Sequence, residues 1–258
     1  MALVGERQLR VPFGNLEFRR GEPSQGPDPV AGGPERSAIV APMSDPSSPR
    51  AALAPWDRRD LPSAFTVEET ASRVGHYKWI EMRIFELMGG WVAAVPEPDI
   101  KLRLGTHCYH HAFHAELWHK RLPELRDMNP ERLTRPPNPE MEAFVAAMGD
   151  PYAPGESIEK LVGLYRVLLP HLIAGYTYHR NNANQITDAP TIRALELCLR
   201  DDMEEWREGE MILQSLIITA DDVERAMVRQ AELTKLMVAA GGVVGPDSIG
   251  SFELGDAD

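Results

Sequence analysis

From Thr66 onward the apolar residues recur every three to four positions in five separate stretches. That is the period of a helix with one face buried, and it predicts an all-α protein. The first stretch opens on Thr66-Val-Glu-Glu69, a capping box in which threonine and glutamate satisfy backbone N–H groups that the helix leaves open. It is expected to run to about Met88, just before Gly89 and Gly90, with Val74, Tyr77, Ile84, Phe85 and Met88 on its buried stripe. The second should extend from about Asp99 to Leu122, where Pro123 stops or kinks it. A proline-rich connection carries a short helix after Asn138-Pro139, a cap followed by a first-turn proline. The third long helix spans about residues 157–182, kinked at Pro170, with Ile158, Val162, Tyr165, Leu169, Leu172 and Tyr176 aligned. The fourth starts near Asp188, has Pro190 in its first turn and reaches about Ile217, with Ile192, Leu195, Leu199, Met203, Trp206, Leu213 and Ile217 as its stripe. The fifth is capped by Thr219-Ala-Asp-Asp222 and ends at Gly241-Gly242.

No alternating strand pattern and no internal repeat interrupts this series, so a bundle of four long helices with an additional C-terminal helix is the economical fold. Residues 1–62 are rich in Pro, Gly, Ser and Arg and lack an apolar period, which predicts a disordered leader. The helical domain is expected over residues 63–242, followed by an acidic tail over residues 243–258. Met43 is a candidate alternative translation start, and a native N-terminal peptide from before it would rule that out.

The stripes carry polar residues that a core must accommodate. His107, His111 and His114 fall within about 60° of one another on a helix, together with Ile100, Leu104, Trp118 and Leu122. Three imidazoles on an apolar stripe need partners, because a buried nitrogen left unpaired costs about 1–3 kcal/mol. Glu81 lies in the middle of the first stripe, whereas Glu86 faces elsewhere. Tyr176 lies on the third stripe, Asp202 on the fourth, Glu205 at its border and Glu210 two turns beyond Asp202. Glu116 and His119 point away from the histidine stripe and read as a solvated face, as does most of the acidic run from Asp201 to Glu208. The constellation is a metal-ligand set of Glu81, His107, His111, His114, Asp202 and Glu205, with Tyr176 beside it. A metal-free network in which the histidines pair with Glu81, Asp202 and Glu205 is the competing reading.

Composition narrows the setting. The formal net charge of −12 and a pI near 5.2 argue against nucleic-acid phosphates or an anionic membrane as partners. No apolar run approaches the roughly 20 residues that span a bilayer, and no secretory signal is visible, so a cytoplasmic protein is expected. Cys108 and Cys198 read as reduced packing residues. No nucleophile stands near a base at a spacing that points to a thiol- or serine-dependent hydrolase.

With Glu81 on the first helix, His111-x-x-His114 on the second, Tyr176 on the third and Asp202-x-x-Glu205 on the fourth, residues 66–218 resemble the ferritin-like superfamily. Members of that superfamily surround a dinuclear metal site with a Glu on two helices and Glu-x-x-His on the other two. The match lies in inward spacing, since His111 stands at a Glu position, Asp202 and Glu205 replace a Glu and a His, and Tyr176 replaces a Glu. The resemblance implies one or two iron ions, with Mn or Zn as substitutes. It also implies a metal-dependent oxidase or oxygenase acting on a small organic substrate, with Tyr176 as the catalytic candidate. A non-catalytic bundle with a degenerate site that binds a partner is the other function class, and a homodimer fits either.

Overall fold

In the computed structural model, residues 65–246 are described, apart from 126, 127 and 152. The leader expected over residues 1–62 and the end of the tail lie outside them. The described residues are helical, and no strand occurs among them.

Helix α1, Val67–Ala94, starts at the capping box anticipated at Thr66, whose hydroxyl accepts from the Glu69 N–H. It passes through Gly89 and Gly90 instead of stopping at Met88. The stripe continues through Trp91 and Val95, both buried. Burying an indole outweighs the roughly 1 kcal/mol that each glycine costs a helix. Phe85, expected on the buried stripe, is 44% exposed, because Tyr77, Ile80, Glu81, Ile84 and Met88 take the inward face. Helix α2, Pro98–Glu124, carries Pro123 in its last turn and turns Ile100, Leu104, His107, His111, His114, Trp118 and Leu122 inward. Two short helices follow, α3 (Pro130–Leu133) and α4 (Pro139–Gly149), each capped by an asparagine side chain at its start.

The third long stretch is not one regular helix. It comprises α5 (Ser157–Leu161), a π-helical stretch over Val162–Leu168, and α6 (Leu169–Asn182). Pro170 has no N–H and its ring would strike the carbonyl four residues back, at Arg166. Widening the preceding turns, so that the Leu169 N–H bonds the Leu164 carbonyl, accommodates the ring without a break. Helix α7 spans Ala189–Leu216 and α8 spans Ala220–Ala240. On α7 the expected positions of Met203 and Trp206 are corrected: they are 39% and 40% exposed. Cys198, Asp202, Glu205 and Gly209 face inward instead: the Glu205 carboxylate meets His110 and His111 of α2, and Gly209 leaves room for the Tyr165 ring. Glu210 is half-buried in an ion pair with Arg166, outside the cluster.

At the end of α8, Gly241, Gly242 and Gly245 adopt φ of 72°, 87° and 84°. That left-handed turn folds the chain back, so Val243 and Val244, the first residues of the stretch expected as an acidic tail, pack into the core. A Cβ on Gly175 would stand 3.0 Å from Val243 Cγ2, so the glycine makes room for it. His179 is fully buried beside Phe65 and Tyr77, and burial and Arg73 hold its pKa down to about 3.

Candidate metal centre

Four helices send a side chain to one point: Glu81 from α1, His111 and His114 from α2, Tyr176 from α6 and Asp202 from α7. All five are 0% exposed. One ligand atom each from Glu81, His111, His114 and Asp202 lies within 4.8 Å of all the others. His114 Nδ1 is 3.4 Å from Glu81 Oε1 and 3.6 Å from Asp202 Oδ1. Donor atoms held at about 2.1 Å around one ion in a tetrahedron stand about 3.4 Å apart, so these spacings fit a bound cation.

The hydrogen bonds around the cluster are unevenly distributed. Glu81 is well served: Oε2 lies 2.5 Å from His111 Nδ1, and Oε1 accepts from the Tyr176 hydroxyl at 2.5 Å. Trp118 Nε1 donates in turn to that hydroxyl at 3.1 Å, which fixes Tyr176 as a donor to Glu81. His114 bonds outward through Nε2 to Asp201 at 3.2 Å, leaving Nδ1 facing the centre. A carboxylate that holds one ring nitrogen while the other faces inward is the arrangement that sets the tautomer of a metal-binding histidine. By contrast, five buried atoms in and beside the cluster make no hydrogen bond: His111 Nε2, His114 Nδ1, both carboxylate oxygens of Asp202, and Glu205 Oε2. Some stand within ion-pair distance of one another, as His111 Nε2 and Glu205 Oε2 do at 3.2 Å, but off the line a hydrogen bond requires. Lone pairs that converge without a shared proton are what a cation would satisfy, and each would otherwise cost about 1–3 kcal/mol.

Electrostatics without a metal follow from the same geometry. Burial pushes the Glu81 carboxyl up, but the His111 and His114 imidazoles outweigh it and hold it at about 2. Burial alone would lower both histidines. Glu205 and Glu81 instead push His111 well above its ordinary value, and Glu81 with Asp201 pushes His114 up to about 10. Asp202 goes the other way, raised well above the carboxylate range by burial and by the neighbouring Glu81.

The remaining candidates lie one shell away. Glu205 is 2% exposed but lies outside the converging four; despite burial, His111 and His110 hold it near 2. His107 is buried yet turned aside: Nδ1 pairs with the Tyr165 hydroxyl at 2.8 Å and Nε2 with Glu208 at 3.2 Å. Tyr165 fits there because Gly209 has no side chain; a Cβ would stand 2.2 Å from the ring. Glu116 and His119 lie on the exposed face, paired with Lys120 and Lys78.

Helical phase alone misses Asp201, His110, Tyr165 and Glu208 as neighbours of the site. Asp201 and Glu208 read as solvated acid, and His110 lies beside the stripe, yet its Nδ1 reaches Glu205 Oε1 at 2.7 Å. Tyr165 was visible only as an apolar stripe residue. Comparison with protein-family models, curated proteins and solved structures returned no match to this chain.

Proposed function

We propose that the protein binds a divalent transition metal in the interior of a ferritin-like helical bundle, through Glu81, His111, His114 and Asp202. The observation that carries this reading is the convergence of Glu81, His111, His114 and Asp202 on one buried point, where His114 Nδ1 and both Asp202 carboxylate oxygens make no hydrogen bond. The donor set fits the group: two imidazoles and two carboxylates suit Fe(II), Mn(II) or Zn(II) over Mg or Ca, which favour all-oxygen sites. Charge balance fits as well, since one dication beside neutral imidazoles offsets the carboxylates of Glu81 and Asp202. Iron, when bound, would supply a one-electron couple and an open position for dioxygen, which makes an oxidase or oxygenase acting on a small organic substrate the activity we propose.

The chain's own groups have defined parts in this. Asp201 holds the His114 Nε2 proton and so keeps Nδ1 available. Tyr176 donates to Glu81 and is itself fixed by Trp118, so it orients a ligand and buffers its charge. The buried rings of Tyr77 and Trp118 pack against Tyr176 and help to keep water away.

A second reading has its own observation. With His111 and His114 protonated, Glu81 and Glu205 ionised and Asp202 neutral, the charges cancel without any metal. Metal analysis of untagged protein separates the two. We expect metal in wild type and its loss in both His111→Ala and His114→Ala; a wild type free of metal after growth with iron, manganese and zinc would favour the closed network.

A further inference from the structure

Building on that metal-binding reading, we infer that Glu205, anchored by His110, is the transfer ligand through which a divalent cation enters and leaves the buried centre along the seam between α2 and α7. The four converging residues are 0% exposed, so an ion coming from solvent must be handed to them by another group. Three half-buried polar side chains line this seam: His110, 33% exposed, Glu208, 24%, and Asp201, 22%. Two of them are committed, Asp201 to His114 and Glu208 to His107 and Arg103. Glu205 joins outside to inside. Its Oε1 is held by His110 at 2.7 Å, while Oε2 turns inward with no hydrogen bond, 3.2 Å from His111 Nε2.

An ion resting among Glu81, His111, His114 and Asp202 explains the orphaned atoms of His114 and Asp202. It does not explain that of Glu205, which is not one of the four. A cation held in passing between Glu205 Oε2 and His111 Nε2 does. The His111 ring is suited to the handover, because its two nitrogens face opposite ways, Nδ1 to Glu81 and Nε2 to Glu205. The carboxylates of Asp201 and Glu208 at the mouth favour a cation over an anion.

The test uses the metal-free full-length chain and cobalt(II), followed by its visible absorption in a stopped-flow instrument. Replacing Glu205 by the isosteric glutamine (E205Q) should slow uptake, and release into a chelator, each by about tenfold or more, with final stoichiometry and Kd within about threefold of wild type. E208Q should slow uptake severalfold at low salt and match wild type at high salt, because the amide keeps the shape of the side chain and its effect on the ion is the lost charge at the mouth. Unchanged uptake in both variants would overturn the proposal. So would faster release and a lower stoichiometry in E205Q, which would make Glu205 a permanent ligand. Should E205Q not fold, His110→Ala releases the Glu205 anchor and must alter the uptake rate at constant stoichiometry; an unaltered rate counts against the proposal. A wild type that takes up no cobalt sinks metal binding itself, whereas a failure confined to the rates leaves that reading standing.

Discussion

Asp202 and Glu81 are both buried carboxyls at the same centre, yet the structure gives them unequal contributions to the metal-free fold. Without metal, Glu81 sits against His111, which Glu205 and Glu81 push toward its charged form, and accepts from Tyr176. Glu81→Gln leaves His111 charged, buried and short of one counterion, and breaking a buried pair from one side costs about 3–5 kcal/mol. For a domain of this size each kcal/mol lowers Tm by about 2–4 °C, so the variant should melt roughly 6–20 °C below wild type in chelator. Asp202 has no hydrogen bond on either oxygen, and burial with Glu81 beside it already pushes the carboxyl toward its neutral form. Asp202→Asn therefore removes little, and should stay within about 1 kcal/mol of wild type in chelator. With metal the order changes. A ligand at 1,000 times its Kd adds about 4 kcal/mol, or roughly 8–16 °C here, and Asp202→Asn should forfeit it because it withdraws an anionic donor. Thermal melts of the three proteins, with and without chelator, read this directly. Two results would refute the reasoning: a wild-type melting point that ignores the chelator, or an Asp202→Asn protein that melts as low as Glu81→Gln when metal-free.

Three further outcomes follow. The folded His111 and His114 values lie above the unfolded value of about 6.5, so their contribution is complete below that pH and lost as pH rises through the folded values, about 10 for His114. Metal affinity moves the other way, since the imidazoles must give up protons; the drop in Tm caused by chelator should therefore widen between about pH 6.5 and 9, and a constant gap would exclude His111 and His114 as ligands. Gly209→Ala drives a methyl into the Tyr165 ring, which the His107 bond keeps in place, and should cost about 3 kcal/mol in a urea titration; a cost near zero would mean that the ring is free to move. Tyr176→Phe strands the Trp118 N–H and deprives Glu81 of a donor, costing about 1–3 kcal/mol with metal content unchanged; loss of the metal would make Tyr176 a ligand.

The helices were legible because a buried face leaves a period of 3.6 residues in one strand of text, and caps such as Thr66 and Thr219 satisfy backbone groups within three residues of themselves. The same local arithmetic placed Glu81, His111, His114, Tyr176 and Asp202 on inward stripes, and the structure brings all five to one centre. What periodicity cannot supply is the phase of one helix against another. On α7 a hydrophobic stripe through Met203 and Trp206 and a polar one through Asp202 and Glu205 lie only about 100° apart per residue step, and which turns inward depends on what the facing helix offers. Here α2 offers His110 and His111, so the carboxylates go in and the indole stays at the surface.

The π-helical stretch before Pro170 has the same origin. The proline was visible, but its ring can be accommodated either by a kink or by widened turns, and the sequence pattern does not distinguish the two. His107 shows the limit most plainly: buried on the stripe as expected, it is turned from the centre by a tyrosine and a glutamate distant in the chain. The sequence by itself determined where the helices run and which polar residues stand on or beside an apolar stripe, because both are periodic properties of a single helix. Only the tertiary structure decided which of them meet, because hydrogen bonds and shared ligands are settled between helices at distances of about 3 Å, where a modest rotation exchanges one partner for another.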